Sequence, residues 1–154
     1  MFYFVRDEIS FGLYHSHTKS SRTLRKRIGE CTSKTDLHVA LLRTTGILAR
    51  LRYVRCRKEV LKNAISDFIH NRMESEVSHF WCECYLSGKW ISCESLLDEL
   101  LFRRVLKESV VARELISTID WDGDTDPIIT NAWDYPGFWA YTFCRRGMQG
   151  VNQE

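Results

Sequence analysis

Two aromatic-rich runs on either side of Ser87-Gly88 place the strongest restriction on the fold of this chain. The first run is residues 78–86 (SHFWCECYL), and the second is residues 89–94 (KWISCE). Two such runs joined by two small turn residues predict a tight β-hairpin. With Ser87-Gly88 as the loop, the predicted pairing sets Trp81 opposite Glu94.

This pairing also brings a histidine close to a carboxylate. Side chains alternate between the two faces of a strand, so His79, Trp81 and Glu94 share one face of the hairpin. His79 then lies diagonal to Glu94, at a separation that long side chains bridge. A carboxylate that holds one imidazole nitrogen fixes the tautomer and frees the other nitrogen to act as a base. The hairpin therefore supplies two parts of a nucleophilic triad, and the third should be a Ser or Cys elsewhere.

Cys31 is the candidate for that third part because it precedes a predicted helix. Thr32 or Ser33 can cap the helix, the apolar residues that follow recur at helical spacing, and Gly46 suits its left-handed C-terminal cap. The positive end of the helix dipole favours thiolate over thiol, and we expect Lys34 to act in the same direction. The alternative is an incidental buried thiol, which is commoner for a lone cysteine.

These residues resemble motifs of the transglutaminase-like superfamily. The segment 29–50 (GECTSKTDLHVALLRTTGILAR) is similar to the nucleophile helix of that family, and the segment 79–91 (HFWCECYLSGKWI) is similar to its histidine hairpin. Residues 4–11 match its common N-terminal segment, and residues 119–123 are similar to a stretch of some bacterial members. The ordered blocks together cover most of the chain.

The resemblance implies an α+β fold of the papain-like, transglutaminase-core type, with the nucleophile helix packed on a small antiparallel sheet. It implies acyl transfer or hydrolysis on glutamine carboxamides or peptide bonds through Cys31, His79 and Glu94, without a metal or another cofactor. The substrate would be a protein or peptide, with an amine as acceptor in a transfer reaction. Glu94 departs from the aspartate that is usual in the family. The same fold used as a catalytically silent binding domain is an open alternative.

A zinc site is the competing chemistry. His79, Cys82, Cys84 and Cys93 are close in sequence and have side chains that zinc prefers. The hairpin pattern argues against this set, because it puts the three cysteines on one face and His79 on the other. We interpret His38, two turns after Cys31, as a partly buried structural residue.

Composition restricts the class of protein and its location. The 154 residues suit one domain spanning residues 1–154. A net charge of +2 from 22 basic and 20 acidic residues argues against a dedicated nucleic-acid binder. No apolar stretch approaches the roughly 20 residues of a membrane span, and no secretory signal is visible, so no membrane partner is expected. Six cysteines in such a chain indicate the reducing cytoplasm.

Periodicity predicts the remaining elements. The expected elements are a helix over residues 1–11, a short helix or turn over 22–28, a strand over 47–54, an amphipathic helix over 59–73, and a helix over 96–119 that is broken near Ser109. The aromatic residues of 133–143 are expected to pack onto the domain. The alternating aspartates of residues 120–126 lack the later Gly and Glu of a calcium loop and are expected to form a solvated turn.

Overall fold

The computed structural model describes residues 1–12, 18–58, 65–108, 118–124 and 139–141. The helices are α1 (Phe2–Glu8), α2 (Ser20–Lys26), α3 (Cys31–Thr44), α4 (Asp67–Arg72) and α5 (Glu99–Glu108). The strands are β1 (Ser10–Phe11), β2 (Ile28–Gly29), β3 (Ala49–Arg57), β4 (Glu76–Leu86), β5 (Lys89–Cys93) and β6 (Trp139–Tyr141). The α+β class that the resemblance implied is confirmed.

The main sheet is antiparallel, with the strand order β5-β4-β3-β6, and a short parallel pair joins β1 to β2. In the hairpin of β4 and β5, Leu86 pairs with Lys89 and Cys82 pairs with Cys93. Ser87 (φ 50°) and Gly88 (φ 84°) both adopt the left-handed conformation that a two-residue hairpin turn requires. The predicted hairpin is therefore confirmed in both turn and register.

The start of α3 differs from the prediction. Glu30 is the N-cap: its carboxylate accepts hydrogen bonds from the backbone N–H groups of Thr32 (2.8 Å) and Ser33 (3.0 Å). The Ser33 hydroxyl in turn accepts from the Glu30 N–H at 3.0 Å. A Cβ at Gly29 would lie 2.7 Å from that hydroxyl, so this position excludes a side chain. The prediction that Thr32 or Ser33 caps the helix is wrong because the longer Glu30 side chain reaches the first-turn donors.

The end of α3 agrees with the prediction. Gly46 adopts φ +80°, and its N–H donates to the carbonyl of Arg43, while the N–H of Ile47 donates to the carbonyl of Leu42. These two bonds form a Schellman motif, in which glycine supplies the left-handed residue that closes the helix. Gly46 therefore directs the chain from α3 into β3.

The core lies between α3 and the sheet. Val39 and Leu42 of α3 are buried together with Cys82, Cys84 and Cys93 of the hairpin. Burial of an aliphatic side chain of this size contributes about 1.5–3 kcal/mol. Helix α3 is thus packed on the antiparallel sheet, as the resemblance implied. A second cluster of α1 and α3, formed by Val5, Ile9 and Leu37, closes the other side of the helix.

Other predicted elements need correction. The helix predicted over 1–11 ends at Glu8 and is followed by β1, and the strand predicted over 47–54 extends to Arg57. Of the helix predicted over 59–73, residues 59–64 lie outside the described residues, and α4 begins only at Asp67. Phe68 of α4 is exposed, so the apolar periodicity there lacks the packing that stabilises a longer helix.

The C-terminal half is described only in part. Within the helix predicted over 96–119, α5 begins at Glu99, and the break predicted near Ser109 lies outside the described residues. The predicted packing of the aromatic side chains of residues 133–143 also lies outside them. Among the helices of the described ranges, none has both the length and the apolar character that a membrane crossing requires.

Candidate active site

His79 and Glu94 are in direct contact. His79 Nε2 lies 2.5 Å from Glu94 Oε2, and the Glu94 side chain is only 3% exposed. The other carboxylate oxygen, Oε1, accepts a hydrogen bond from the backbone N–H of Leu96 at 2.8 Å. The hairpin register explains the contact, because it leaves Glu94, the residue after β5, diagonal to His79 on β4. The predicted proximity of these two side chains is confirmed.

The surroundings of His79 favour its protonated form. Burial acts to lower the pKa of His79, but the charge of Glu94 and hydrogen bonds with Cys31 and Glu94 raise this pKa well above its usual value. Because the net direction is upward, the surroundings of His79 favour the imidazolium over the neutral ring. A neighbouring imidazolium favours the thiolate form of a cysteine.

Cys31 is the first residue of α3 and is a free, partly buried thiol. Its Sγ lies 3.3 Å from Glu30 Oε2 and 3.9 Å from the backbone oxygen of Ser78, the residue before His79. The neighbouring Cys31 also contributes to the raised pKa of the imidazole. The structure thus brings the predicted thiol, imidazole and carboxylate into one region.

Helix α3 is held against the strand that carries the imidazole. Thr35, one turn after Cys31, donates from its hydroxyl to the backbone oxygen of Phe80 at 3.1 Å. Thr35 is buried, so water competes little for this bond. The contact fixes the start of α3 relative to the backbone on both sides of His79.

Glu30 is a residue of this site that the sequence pattern did not single out. Its carboxylate caps α3 and accepts a hydrogen bond from the Cys31 thiol at 3.3 Å. A signal was present in the sequence, because Glu30 and Ser33 are a capping box with the two residue types exchanged. Glu30 therefore orients the sulfur as well as the first turn.

The Lys34 side chain is directed to backbone carbonyls of the core. Its Nζ donates to the backbone oxygens of Arg6 (3.1 Å), Ile9 (2.6 Å) and Leu96 (3.0 Å), and the side chain is 1% exposed. Burial lowers the pKa of Lys34 to about 8, while the charges of nearby carboxylates, including that of Glu94, act to raise it. The hydrogen bonds of the ammonium group therefore go to three carbonyls in the core and not to Cys31, and the expected effect of its charge on the thiolate stays a prediction.

Trp81 packs beside the imidazole. Its ring stacks on that of His79, with centroids 6.2 Å apart and an interplanar angle of 21°. The indole Nε1 donates to the hydroxyl of Ser92 at 3.2 Å on the neighbouring strand. Trp81 therefore restricts the orientation of the His79 ring and covers one side of it.

Comparison with known proteins agrees with this geometry. The sequence profile of the transglutaminase-like superfamily matches residues 1–95, more than half of the chain, and this segment contains Cys31, His79 and Glu94. The chain belongs to the transglutaminase-like superfamily. Searches of curated proteins and of solved structures found no significant match. A single domain over residues 1–154 stays a prediction, because the matched segment ends at residue 95.

The four residues considered from the sequence as zinc ligands do not lie together in this transglutaminase-like chain. Cys82, Cys84 and Cys93 face the core under α3, whereas His79 contacts Glu94 outside that cluster. A hydrogen bond with Cys93 and burial raise the pKa of Cys84, so this thiol stays protonated. His79 and the three cysteines therefore do not form one set of metal ligands.

His38 instead joins the cysteine face. One ring nitrogen of His38 and the Sγ atoms of Cys82 and Cys93 lie within 4.8 Å of one another, and all three residues are buried. His38 Nδ1 also lies 3.2 Å from the hydroxyl of Ser95. In the described part of the chain this cluster offers three donor atoms, whereas structural zinc sites close with four. The three residues are buried together in the core under α3, where Cys93 Sγ also donates to the backbone oxygen of Cys82 at 3.4 Å.

The aspartate-rich segment forms a turn. The Asp124 N–H donates to the carboxylate of Asp122 at 2.7 Å, and the Asp124 carboxylate forms an ion pair with Lys89. Both carboxylates are accordingly engaged in local contacts. Asp126, the third aspartate of the pattern, lies outside the described residues.

His38 should make the protein sensitive to acid. Burial, with a smaller contribution from nearby positive charges including Lys34, lowers the pKa of His38 to about 4. The unfolded chain has a histidine pKa of about 6.5, so between these values the unfolded state binds more protons and stability falls as the pH falls. We expect His38→Gln to reduce the loss of unfolding free energy between pH 6.5 and 4.5 by about 2 kcal/mol.

Urea unfolding at the two pH values measures this difference. His70→Gln is the matched control, because His70 is only partly buried and contacts a backbone oxygen, that of Lys58, at 3.1 Å. The control should lose as much stability in acid as the parent protein. An unchanged acid dependence in His38→Gln would contradict the assignment of a neutral His38.

Proposed function

We propose that this protein is a thiol enzyme that transfers or hydrolyses acyl groups at glutamine carboxamides or peptide bonds. The observation that supports the proposal most strongly is the 2.5 Å contact between His79 Nε2 and Glu94 Oε2 next to the free thiol of Cys31. A braced imidazole beside a thiol at a helix start is the arrangement that activates a cysteine nucleophile.

The two ring nitrogens of His79 have separate roles in this proposal. Glu94 occupies Nε2, so Nδ1 is the nitrogen that exchanges a proton with the thiol. Glu94 holds the ring in place and stabilises its positive charge, which agrees with the raised pKa of His79. His79 then takes the proton of the Cys31 thiol, or forms a thiolate–imidazolium pair with it, and so generates the nucleophile.

The reaction proceeds through a thioester. The Cys31 sulfur attacks the carbonyl carbon and forms a C–S bond, and the C–N bond breaks as His79 gives its proton to the departing nitrogen. Water or a primary amine then attacks the thioester while His79 accepts its proton. Release of the acid or of the new amide restores the Cys31 thiol.

The first turn of α3 offers a donor for the developing oxyanion. The Glu30 carboxylate accepts from the N–H groups of Thr32 and Ser33, which leaves the N–H of Cys31 beside the sulfur. A backbone N–H in this position stabilises negative charge on the carbonyl oxygen. We therefore assign the Cys31 N–H to the oxyanion hole.

A glutamine-containing peptide tests the proposal when it is incubated with the protein, with and without a primary amine. Mass spectrometry separates amine incorporation, deamidation and chain cleavage, and so distinguishes transfer from hydrolysis. Cys31→Ala must abolish every product, and product formed by this variant would contradict the proposal.

A second readout does not depend on the substrate. Iodoacetamide should modify Cys31 in preference to the buried Cys82, Cys84 and Cys93 at mildly acidic pH, because the imidazolium of His79 favours the thiolate there. Peptide mapping identifies the modified cysteine. If Cys31 reacted no faster than a free cysteine at this pH, the proposed activation of the sulfur would be wrong.

A further inference from the structure

Two buried side chains of α3 bind the segment that follows β5. Lys34 Nζ donates to the backbone oxygen of Leu96 at 3.0 Å, and His38 Nδ1 lies 3.2 Å from the hydroxyl of Ser95. Lys34 and His38 are one turn apart on the same face of the helix. The helix that begins with the proposed nucleophile is therefore joined to the segment that begins with the acid, Glu94.

A continuous series of hydrogen bonds leads from Lys34 to the imidazole. Lys34 binds the carbonyl of Leu96, the N–H of Leu96 donates to Glu94 Oε1 at 2.8 Å, and Glu94 Oε2 lies 2.5 Å from His79 Nε2. Each link fixes the next, because the backbone of Leu96 is held through both its N–H and its carbonyl. The position of the Glu94 carboxylate thus depends on the Lys34 ammonium.

The ammonium group of Lys34 uses its full capacity for hydrogen bonds. It has three donors, and these go to Arg6 and Ile9 at the end of α1 and to Leu96. No carboxylate of the described residues contacts it directly, although Asp98, Glu94 and Asp7 attract its charge and Arg6 repels it. A buried charge held only by carbonyls is costly compared with an apolar side chain. Its retention is explained if the three contacts serve a geometric purpose.

We propose that Lys34 is a positioning residue of the Cys31–His79–Glu94 site. Lys34 holds the backbone of Leu96 and thereby sets the Glu94 carboxylate against His79. The expected loss of activity rests on the proposed function. The expected change in the pKa of His79 does not depend on it. Lys34 acts through Leu96 and Glu94.

The sign of a pKa change distinguishes this role from a simple effect of charge. Removal of a positive charge, without any change in geometry, raises the pKa of a nearby histidine. Displacement of Glu94 from His79 lowers that pKa, because Glu94 is a principal cause of its increase. The two consequences of removing the Lys34 ammonium are therefore opposite.

The experiment is an NMR titration of His79 in the full chain with Lys34→Met, which removes the donors and keeps much of the volume. We expect the pKa of His79 to fall by at least about one unit, a tenfold change in its proton affinity. With a glutamine peptide that is turned over, we expect kcat/KM to fall at least about tenfold, because Glu94 no longer holds the His79 ring in its orientation for proton transfer.

Val39→Ala is the matched control, since Val39 is buried on the same helix and takes no part in the series of hydrogen bonds. It should leave the pKa of His79 unchanged despite its loss of stability. Lys34→Gln, which retains two donors without the charge, is a milder second variant and should give an intermediate pKa.

The outcomes separate the two proposals. An unchanged or raised pKa of His79 in Lys34→Met, or in Lys34→Gln if the first variant does not fold, would overturn the positioning role. A lowered pKa of His79, together with activity that persists in Cys31→Ala, would leave the positioning role intact and refute the proposed function.

Discussion

Under the proposed mechanism, we expect the His79→Gln variant to lose at least about 1000-fold in kcat/KM while it remains folded. Glutamine keeps a polar side chain near Glu94 but cannot exchange a proton with Cys31, so neither activation of the thiol nor protonation of the leaving nitrogen takes place. The measurement is the initial rate of product formation from the glutamine peptide, with urea unfolding to verify the fold. The reaction of Cys31 with iodoacetamide near neutral pH should slow in parallel.

His70→Gln is the control for this result. His70 lies on α4, where its Nε2 is 3.1 Å from the backbone oxygen of Lys58, and it takes no part in the contacts of Cys31. It should keep the parental rate. A loss of less than tenfold in His79→Gln would show that the imidazole is not the group that transfers the proton, and the thiol mechanism would have to be abandoned.

Trp81→Ala lowers the unfolding free energy by about 3–5 kcal/mol. The indole is 1% exposed, so truncation leaves a large cavity beside His79 and removes the hydrogen bond to Ser92. The loss of stacking should also release the His79 ring from its orientation. Urea unfolding measures the first effect, and the rate of Cys31 alkylation measures the second.

Trp90→Ala offers a matched comparison on the same face of the hairpin. Trp90 is 38% exposed and packs against Tyr85, with the guanidinium of Arg50 4.0 Å from its ring centroid. Its truncation should cost about 1 kcal/mol, because most of its contacts are at the surface. Equal losses in the two variants would contradict the assignment of Trp81 to the core.

The hairpin could be predicted because its determinants are local. Alternation of side chains has a period of two, and a two-residue turn at Ser87-Gly88 allows a single register, so the contact between His79 and Glu94 follows from counting. The determinants of the end of α3 at Gly46 are also local in sequence. The N-cap was assigned incorrectly, because the usual preferences favour short side chains and the structure uses the longer Glu30.

Helical periodicity was less reliable where packing decides the outcome. The pattern over residues 59–73 was interpreted as an amphipathic helix, yet Phe68 and Ile69 are exposed on the short α4. An apolar stripe stabilises a helix only if another element covers it, and the sequence pattern does not contain that partner. The sequence pattern likewise does not contain the partner of His38, because the contact of His38 with Ser95 joins residues 57 positions apart.

Short-range patterns in the chain were sufficient for the hairpin, for the presence of α3 and its end at Gly46, and for the pairing of His79 with Glu94. Only the tertiary structure shows that the Lys34 ammonium binds carbonyls at the end of α1 and that of Leu96, which is 62 positions away. The tertiary structure also places His38 with the cysteines. The physical reason is that a strand register depends on neighbouring residues, whereas a long buried side chain binds whichever polar groups the packed core brings within its reach.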